Sequence, residues 1–212
     1  SGYAAIKNGS YGKLMKAYYA KQDAEKLSGK GDTSQKLTLM KTSADSLKKS
    51  ADALNDSSLW EKKKIKKKDE KTGEEIEVED YDWDKITKAV KSFVEDYNDV
   101  VKEAGESNTK DVLRNASWMT GMTDKNSNML AKIGITIGKG NKLELDEDAL
   151  KQADISSLKT VFTGYNSFVS KISQKATCIS NAANRASATY TNNGTYSKTD
   201  SSLTSSKIDK EV

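Results

Sequence analysis

The chain has 212 residues, 35% hydrophobic and 31% charged, with a mean hydropathy of −0.76. That leaves little apolar material for a thick globular core and suits slender helices that each bury one stripe. The formal charge is +4, from 35 basic and 31 acidic residues, so there is no strong field of one sign for holding nucleic acid or an anionic membrane.

The inventory excludes more. There is no histidine, which removes Ser-His triads, most zinc sites and any imidazole switch. A lone cysteine, Cys178, cannot form an internal disulfide, and the absence of proline permits long unkinked helices. No run of about 18 apolar residues is present to span a bilayer. The opening SGYAAIKNGS lacks the basic-then-apolar pattern of a signal peptide.

In chain order, YGKLMKAYYAKQDAEKL predicts a first helix with Tyr11, Leu14, Met15 and Tyr18 on one side. Tyr18 and Tyr19 are left over for core or interface. The glycines of SGKGD end it, and Asp32 and Thr33 are cap candidates for the next helix. There, Leu37, Met40, Ala44, Leu47, Ala51 and Leu54 alternate steps of three and four, a heptad seam.

EKKKIKKKDEKTGEEIEVEDYDW then places a basic run beside an acidic one. With DEKTG as the turn and Ile65 opposite Ile76, Lys62, Lys64 and Lys66 face Glu79, Glu77 and Glu75 across a charged hairpin spanning 61–82. The competing reading of Lys62 to Lys68 is a polyanion-binding patch.

A second seam comes next in Ile86, Val90, Phe93, Tyr97, Val100 and Ala104, widened by Ala89, Val94 and Val101. TKDVLRNASWMTGMTDKNSNMLAKIG is helical in composition, with breaks expected at Gly121 and from Thr123 to Asn128. Val112, Leu113, Ala116, Trp118 and Met119 are placed to cover a bundle end. Trp60, Trp83 and Trp118 lie near segment ends, where a ring can close the bundle or anchor a partner.

IGITIGKGNKLELDEDAL reads as a small hairpin over 133–145. Ile133, Ile135 and Ile137 alternate on one face, KGN reverses the chain, and Leu143 and Leu145 return. Asp146 caps a short helix with Leu150 inward, and Ser156 or Ser157 opens a third seam. That seam runs through Leu158, Phe162, Tyr165, Val169, Ile172, Ala176, Ile179, Ala183, Ala186 and Tyr190, which as one continuous helix would be about 50 Å long. The last stretch, 191–212, is Ser/Thr-rich and reads as a frayed or extended tail.

Sites of chemistry do not emerge. Asp146, Asp148 and Asp154 fail calcium-loop spacing, because the fifth and sixth places counted from Asp146 are Leu150 and Lys151, and they read instead as helix-start carboxylates. Gly138, Lys139 and Gly140 lack the Walker spacing and read as a turn. Neighbouring carboxylates such as Glu74 with Glu75 have no pocket context, and Cys178 reads as a partly buried small side chain. The expectation is therefore no catalytic, cofactor-binding or metal-ligating residue and no cofactor.

Ile133, Gly134 and Ile135, the glycine turn, Lys142 to Glu147, Leu150, Leu158 and the pair Val161 and Phe162 come in an order that resembles the C-terminal part of the bacterial flagellar filament-capping, or hook-associated protein 2, family. SFVEDYNDVV, Ser92 to Val101, is similar to a Phe-Val-x-x-Tyr-Asn helix of that family, so the resemblance covers about Lys85 to Tyr165. The family's N-terminal motif and its terminal coiled-coil segments are not recognisable.

Together these readings predict a mainly α fold, an elongated antiparallel, coiled-coil-like helical bundle with one or two small β-hairpins. One elongated domain is expected over 1–190, with the tail at 191–212. The resemblance implies a non-enzymatic structural protein of an extracellular assembly, on the flagellum or the cell surface. Its partners would be flagellin or sister subunits of a homo-oligomer, with no nucleic acid and no membrane insertion. The alternative is a generic secreted or surface coiled-coil adhesion or scaffold protein.

Overall fold

The computed structural model describes residues 31–189. The expected first helix near residues 11–27, Tyr190 and the tail lie outside the described residues. Within them the order is α1 (Ser34–Leu54), a 3-10 turn (Ser57–Trp60), β1 (Lys63–Lys68), β2 (Glu75–Asp80), α2 (Trp83–Gly105), α3 (Lys110–Lys125), α4 (Ser127–Ala131), β3 (Ile135–Ile137), β4 (Leu143–Leu145), α5 (Glu147–Gln152), α6 (Ile155–Phe162) and α7 (Phe168–Thr189). The fold is mainly α, with two antiparallel two-stranded hairpins, β1-β2 and β3-β4.

Helix α1 starts where Thr33 accepts a hydrogen bond from the Lys36 N–H at 3.2 Å, which satisfies an otherwise orphaned donor. Its six buried residues are Leu37, Met40, Ala44, Leu47, Ala51 and Leu54, the whole predicted seam. Helix α2 is capped by Asp82 on the Lys85 N–H and buries the six predicted seam residues together with Val94 and Val101.

Helix α1 packs against both α2 and α7, and α3 also lies against both, so four helices close around one core. Asp45 accepts from the Ser180 hydroxyl, and Asp52 from that of Ser173 at 2.6 Å. A step of plus seven on α1 thus matches minus seven on α7. That fixes the two helices as antiparallel, with their seams in step.

Helix α3 is a wall of this bundle and not the end cover its sequence predicts. It runs straight through Gly121 to Lys125, because Met119, Thr120 and Thr123 on either side are buried and packing holds the helix where propensity alone would break it. Trp118 sits mid-helix and half exposed, so of the three tryptophans only Trp60 and Trp83 mark segment ends.

The third seam is two helices, not one 50 Å rod. α6 begins after Asp154, which accepts from the Ser157 N–H, earlier than the expected start at Ser156 or Ser157. It ends at Phe162, and the chain turns through Gly164 at φ +100°, a conformation open to glycine. Asn55 holds this turn from the end of α1, accepting the Gly164 N–H at 2.8 Å and donating to its carbonyl at 3.4 Å. Tyr165, expected in the seam, is consequently 84% exposed.

The break brings aromatic rings together. Trp60 stacks on Phe162 with centroids 5.5 Å apart, while Phe93 meets Phe162 and Phe168 edge-on, each at 6.4 Å. The buried Trp60 indole N–H donates to the Leu54 carbonyl at 2.7 Å, closing the end of α1. Phe93→Ala should therefore lower stability by about 3–5 kcal/mol, whereas Tyr165→Ala should stay within about 0.5 kcal/mol. Urea unfolding monitored by circular dichroism tests both.

Candidate interaction surface

The β1-β2 hairpin projects from the bundle end that α1 leaves and α2 enters. Its turn is built by Asp69, whose carboxylate accepts the N–H groups of Lys71 at 2.7 Å and Thr72 at 3.2 Å, and by Gly73 at φ +73°. The Asp69 N–H donates to the Glu74 carbonyl, so residues 70–73 form a four-residue loop. This loop displaces the predicted register by two: Ile65 pairs with Val78, not Ile76, and Lys64, Lys66 and Lys68 pair with Glu79, Glu77 and Glu75. A shift of two preserves the faces.

One face of the ribbon is therefore entirely lysine against glutamate, while the other carries Ile65, Ile76 and Val78 between Lys67 and Asp80. Ile76 is 39% exposed. Lys67 pairs with Asp80, and Lys64 reaches Glu77 at 3.9 Å. The Lys67 contact, together with the Tyr81 N–H, holds the Asp80 carboxyl below its usual range. At the root, Lys62 lies over the Tyr81 ring at 5.7 Å, and Tyr81 meets Trp83 edge-on.

At the opposite end, Asp32 ties the start of α1 to the turn between α2 and α3. Its carboxylate accepts from the Ser107 and Thr109 hydroxyls, both at 2.6 Å, and from the N–H groups of Asn108 and Thr109 at 2.7 and 3.0 Å. Burial by itself would raise the Asp32 pKa, but these hydrogen bonds together outweigh it and lower the pKa. Of the two cap candidates in the sequence, Thr33 caps α1 and Asp32 does not; nothing local points from Asp32 across 75 residues to Ser107.

The second hairpin has Ile135 opposite Leu145, Thr136 opposite Glu144 and Ile137 opposite Leu143, which keeps the predicted alternating residues Ile135, Ile137, Leu143 and Leu145 on one face, while Ile133 lies ahead of the strand. It is moored to the flank of α2 by Asn98, whose amide donates to the Leu143 carbonyl at 2.9 Å and accepts the Leu143 N–H at 2.7 Å, as a third strand would. Gly134, at φ +87°, explains the glycine between the two isoleucines. A Cβ there would stand 2.7 Å from the Asp146 carbonyl oxygen and 2.9 Å from the Leu150 nitrogen.

The residues weighed for chemistry are spread over structural duties. Asp146 caps α5 by accepting the Ala149 N–H, Asp148 lies in the first turn of that helix, and Asp154 caps α6. Residues Gly138 to Asn141 form the hairpin turn, closed by the Gly138 N–H on the Lys142 carbonyl at 2.7 Å. Cys178 is exposed, not partly buried as expected, because α7 turns its Ala176 and Ile179 flanks inward and leaves position 178 outside. Among the described residues no cluster of three or more acidic or cysteine side chains is placed to hold a metal, and no helix is long and apolar enough to cross a membrane.

Elsewhere on the surface, Trp118 is 50% exposed between the cations of Lys175 at 4.3 Å and Arg114 at 5.6 Å, a pairing no sequence signal announced. Helices zipped by apolar seams, a moored hairpin and a projecting charged ribbon define an architectural module that presents surfaces. Residues 107–211, about half of the chain, match the family model of the flagellar hook-associated protein 2 C-terminus. By this C-terminal part the chain belongs to the flagellar hook-associated protein 2 family. No curated protein and no solved structure matches it.

The match contains the Ile-Gly-Ile stretch, the second hairpin and α6, and it runs 46 residues beyond Tyr165, where the sequence resemblance ended. Ser92 to Val101 falls before it, and so does the charged hairpin.

These moorings can be tested by substitution. Gly134→Ala should cost about 1–3 kcal/mol through strain and clash, and Gly140→Ala, at φ +71° in open space, no more than about 1–2 kcal/mol; thermal unfolding ranks them. Asp32→Ala should cost about 1–3 kcal/mol at pH 7. The folded-state pKa of Asp32 is lowered, so its stabilisation is complete above the ordinary carboxylate value of about 3.9 and lost as pH falls through the folded value. The gap between wild type and variant should accordingly narrow in urea titrations carried down to acid pH.

Proposed function

We propose that this chain is a non-enzymatic structural component of a flagellar hook-associated or filament-cap assembly, making subunit-subunit contacts outside the cell. Its partners are flagellin or sister subunits. The family match over residues 107–211 carries the reading. The physical layout supports it, since polar contacts hold the helices to one another, the buried Tyr97 on Thr123 inside the core and the exposed Asp52 on Ser173 at its rim.

Residues 1–190 act as one elongated unit in this proposal, with 191–212 as its tail. A generic surface scaffold would share the seams but have no affinity for flagellin. Purified chain should bind purified flagellin or itself in sedimentation assays, and absence of both interactions would overturn the proposal. Retention on heparin that falls steeply with salt would instead favour the polyanion reading of Lys62 to Lys68.

A further inference from the structure

We propose that the charged hairpin joins copies of this chain head to tail, the basic edge of β1 adding to the acidic edge of β2 on a second copy. The inference rests on the reading of the chain as a subunit of an assembly, and it names the surface through which sister copies meet. The hairpin lies outside the residues matched to the family.

A two-stranded sheet has two open edges, and here both belong to a ribbon that stands off the bundle with most of its strand residues exposed. The backbone groups on those edges are set by the ladder. Asp69 and Glu74 form an inward-bonded pair; alternation makes 67 with 76, 65 with 78 and 63 with 80 inward pairs too. The N–H and C=O groups of Lys64, Lys66 and Lys68 therefore point out of the β1 edge. Those of Glu75, Glu77 and Glu79 point out of the β2 edge.

The charges decide which edges can meet. β1 is Lys at every position but Ile65, and β2 carries Glu75, Glu77, Glu79 and Asp80. Pairing β1 with β1, or β2 with β2, would stack like charges directly opposite one another, which is unfavourable. Pairing β1 with the β2 of another copy sets lysine against glutamate on one face and brings Ile65 beside the exposed Ile76 and Val78 on the other. Lys66, Lys68, Glu75 and Glu79 make no ion pair among the described residues, so their charges are available to a partner. Such a contact uses different surfaces on the two copies, and it either closes a ring or extends a chain.

The test exchanges the charges without dismantling the hairpin. A chain carrying K64E, K66E and K68E together with E75K, E77K and E79K keeps opposite charges across its own strands. Sedimentation velocity with each chain separately labelled should show wild type associating with itself, the exchanged chain associating with itself within about threefold of wild type, and association between the two weakened at least about tenfold. Free mixing of the two chains, or a wild type that stays monomeric up to about 100 μM, overturns the inference.

A second pair of variants probes the backbone edges. Lys66→Pro and Glu77→Pro each remove one outward N–H. Neither should self-associate, yet mixed together they should form a one-to-one dimer through the remaining free β1 and β2 edges. Self-association of either single variant at wild-type strength would sink the edge-pairing model. Flagellin binding, measured in parallel, distinguishes a failure of this contact from a failure of the assembly reading.

Discussion

The structure depends on α1 being gripped from two sides at once. Its seam of Leu37, Met40, Ala44, Leu47, Ala51 and Leu54 is wholly buried, and the helix touches both α2 and α7. Alternating small and large residues let α7 come close, and the Ser173 and Ser180 hydroxyls reach Asp52 and Asp45 at the rim of that contact. Burial would raise both carboxyls, but hydrogen bonds from Lys41 and Lys48, joined by these hydroxyls, outweigh it and lower both pKa values. The apolar seam supplies the drive for association, and the hydroxyl-carboxylate pairs set its register. A slide of one turn would lose both pairs together.

The two ends of α1 are closed by different chemistry, which gives the bundle a direction. At the start, Asp32 gathers two hydroxyls and two backbone donors of the turn between α2 and α3. At the other end the closure is aromatic, with Trp60 stacked on Phe162 and Phe93 against Phe162 and Phe168. The polar closure is sensitive to protonation, and the aromatic one responds to volume. The charged hairpin leaves from the aromatic end, so the ribbon is rooted beside the buried Trp60 and the edge-on pair of Tyr81 and Trp83.

Periodicity made the first two seams legible in full, because a step of three and four needs only one sequence to be seen. It misled at Tyr165 for the same reason. The heptad phase from Leu158 to Ala186 continues unbroken in sequence, yet Gly164 and the amide of Asn55, 109 residues away, stop the helix between Phe162 and Phe168. Gly121 failed in the opposite direction, since the burial of its neighbours in α3 overrides the low helical propensity of glycine. The long-range amide and carboxylate anchors, Asn55, Asn98 and Asp32, were illegible because each bonds to backbone or to hydroxyls distant in sequence, and such partners leave no periodic trace.

The interaction surfaces divide along the same line. Faces were readable in the charged hairpin, since the alternation of Ile65, Ile76 and Val78 with charge survives a register shift of two, but the register itself belonged to Asp69 and Gly73 in the loop. The two hairpins then differ by what covers them. β3-β4 is satisfied on one edge by Asn98 and buries Ile135 and Leu143, whereas the ribbon of β1 and β2 carries its apolar residues half covered between charges of opposite sign. A strand pair used only for packing would be drawn inward as the second hairpin is. One whose every exposed position on β1 is basic, and whose β2 partner is acidic on the matching face, is shaped by the surfaces it accepts and those it repels outside the chain.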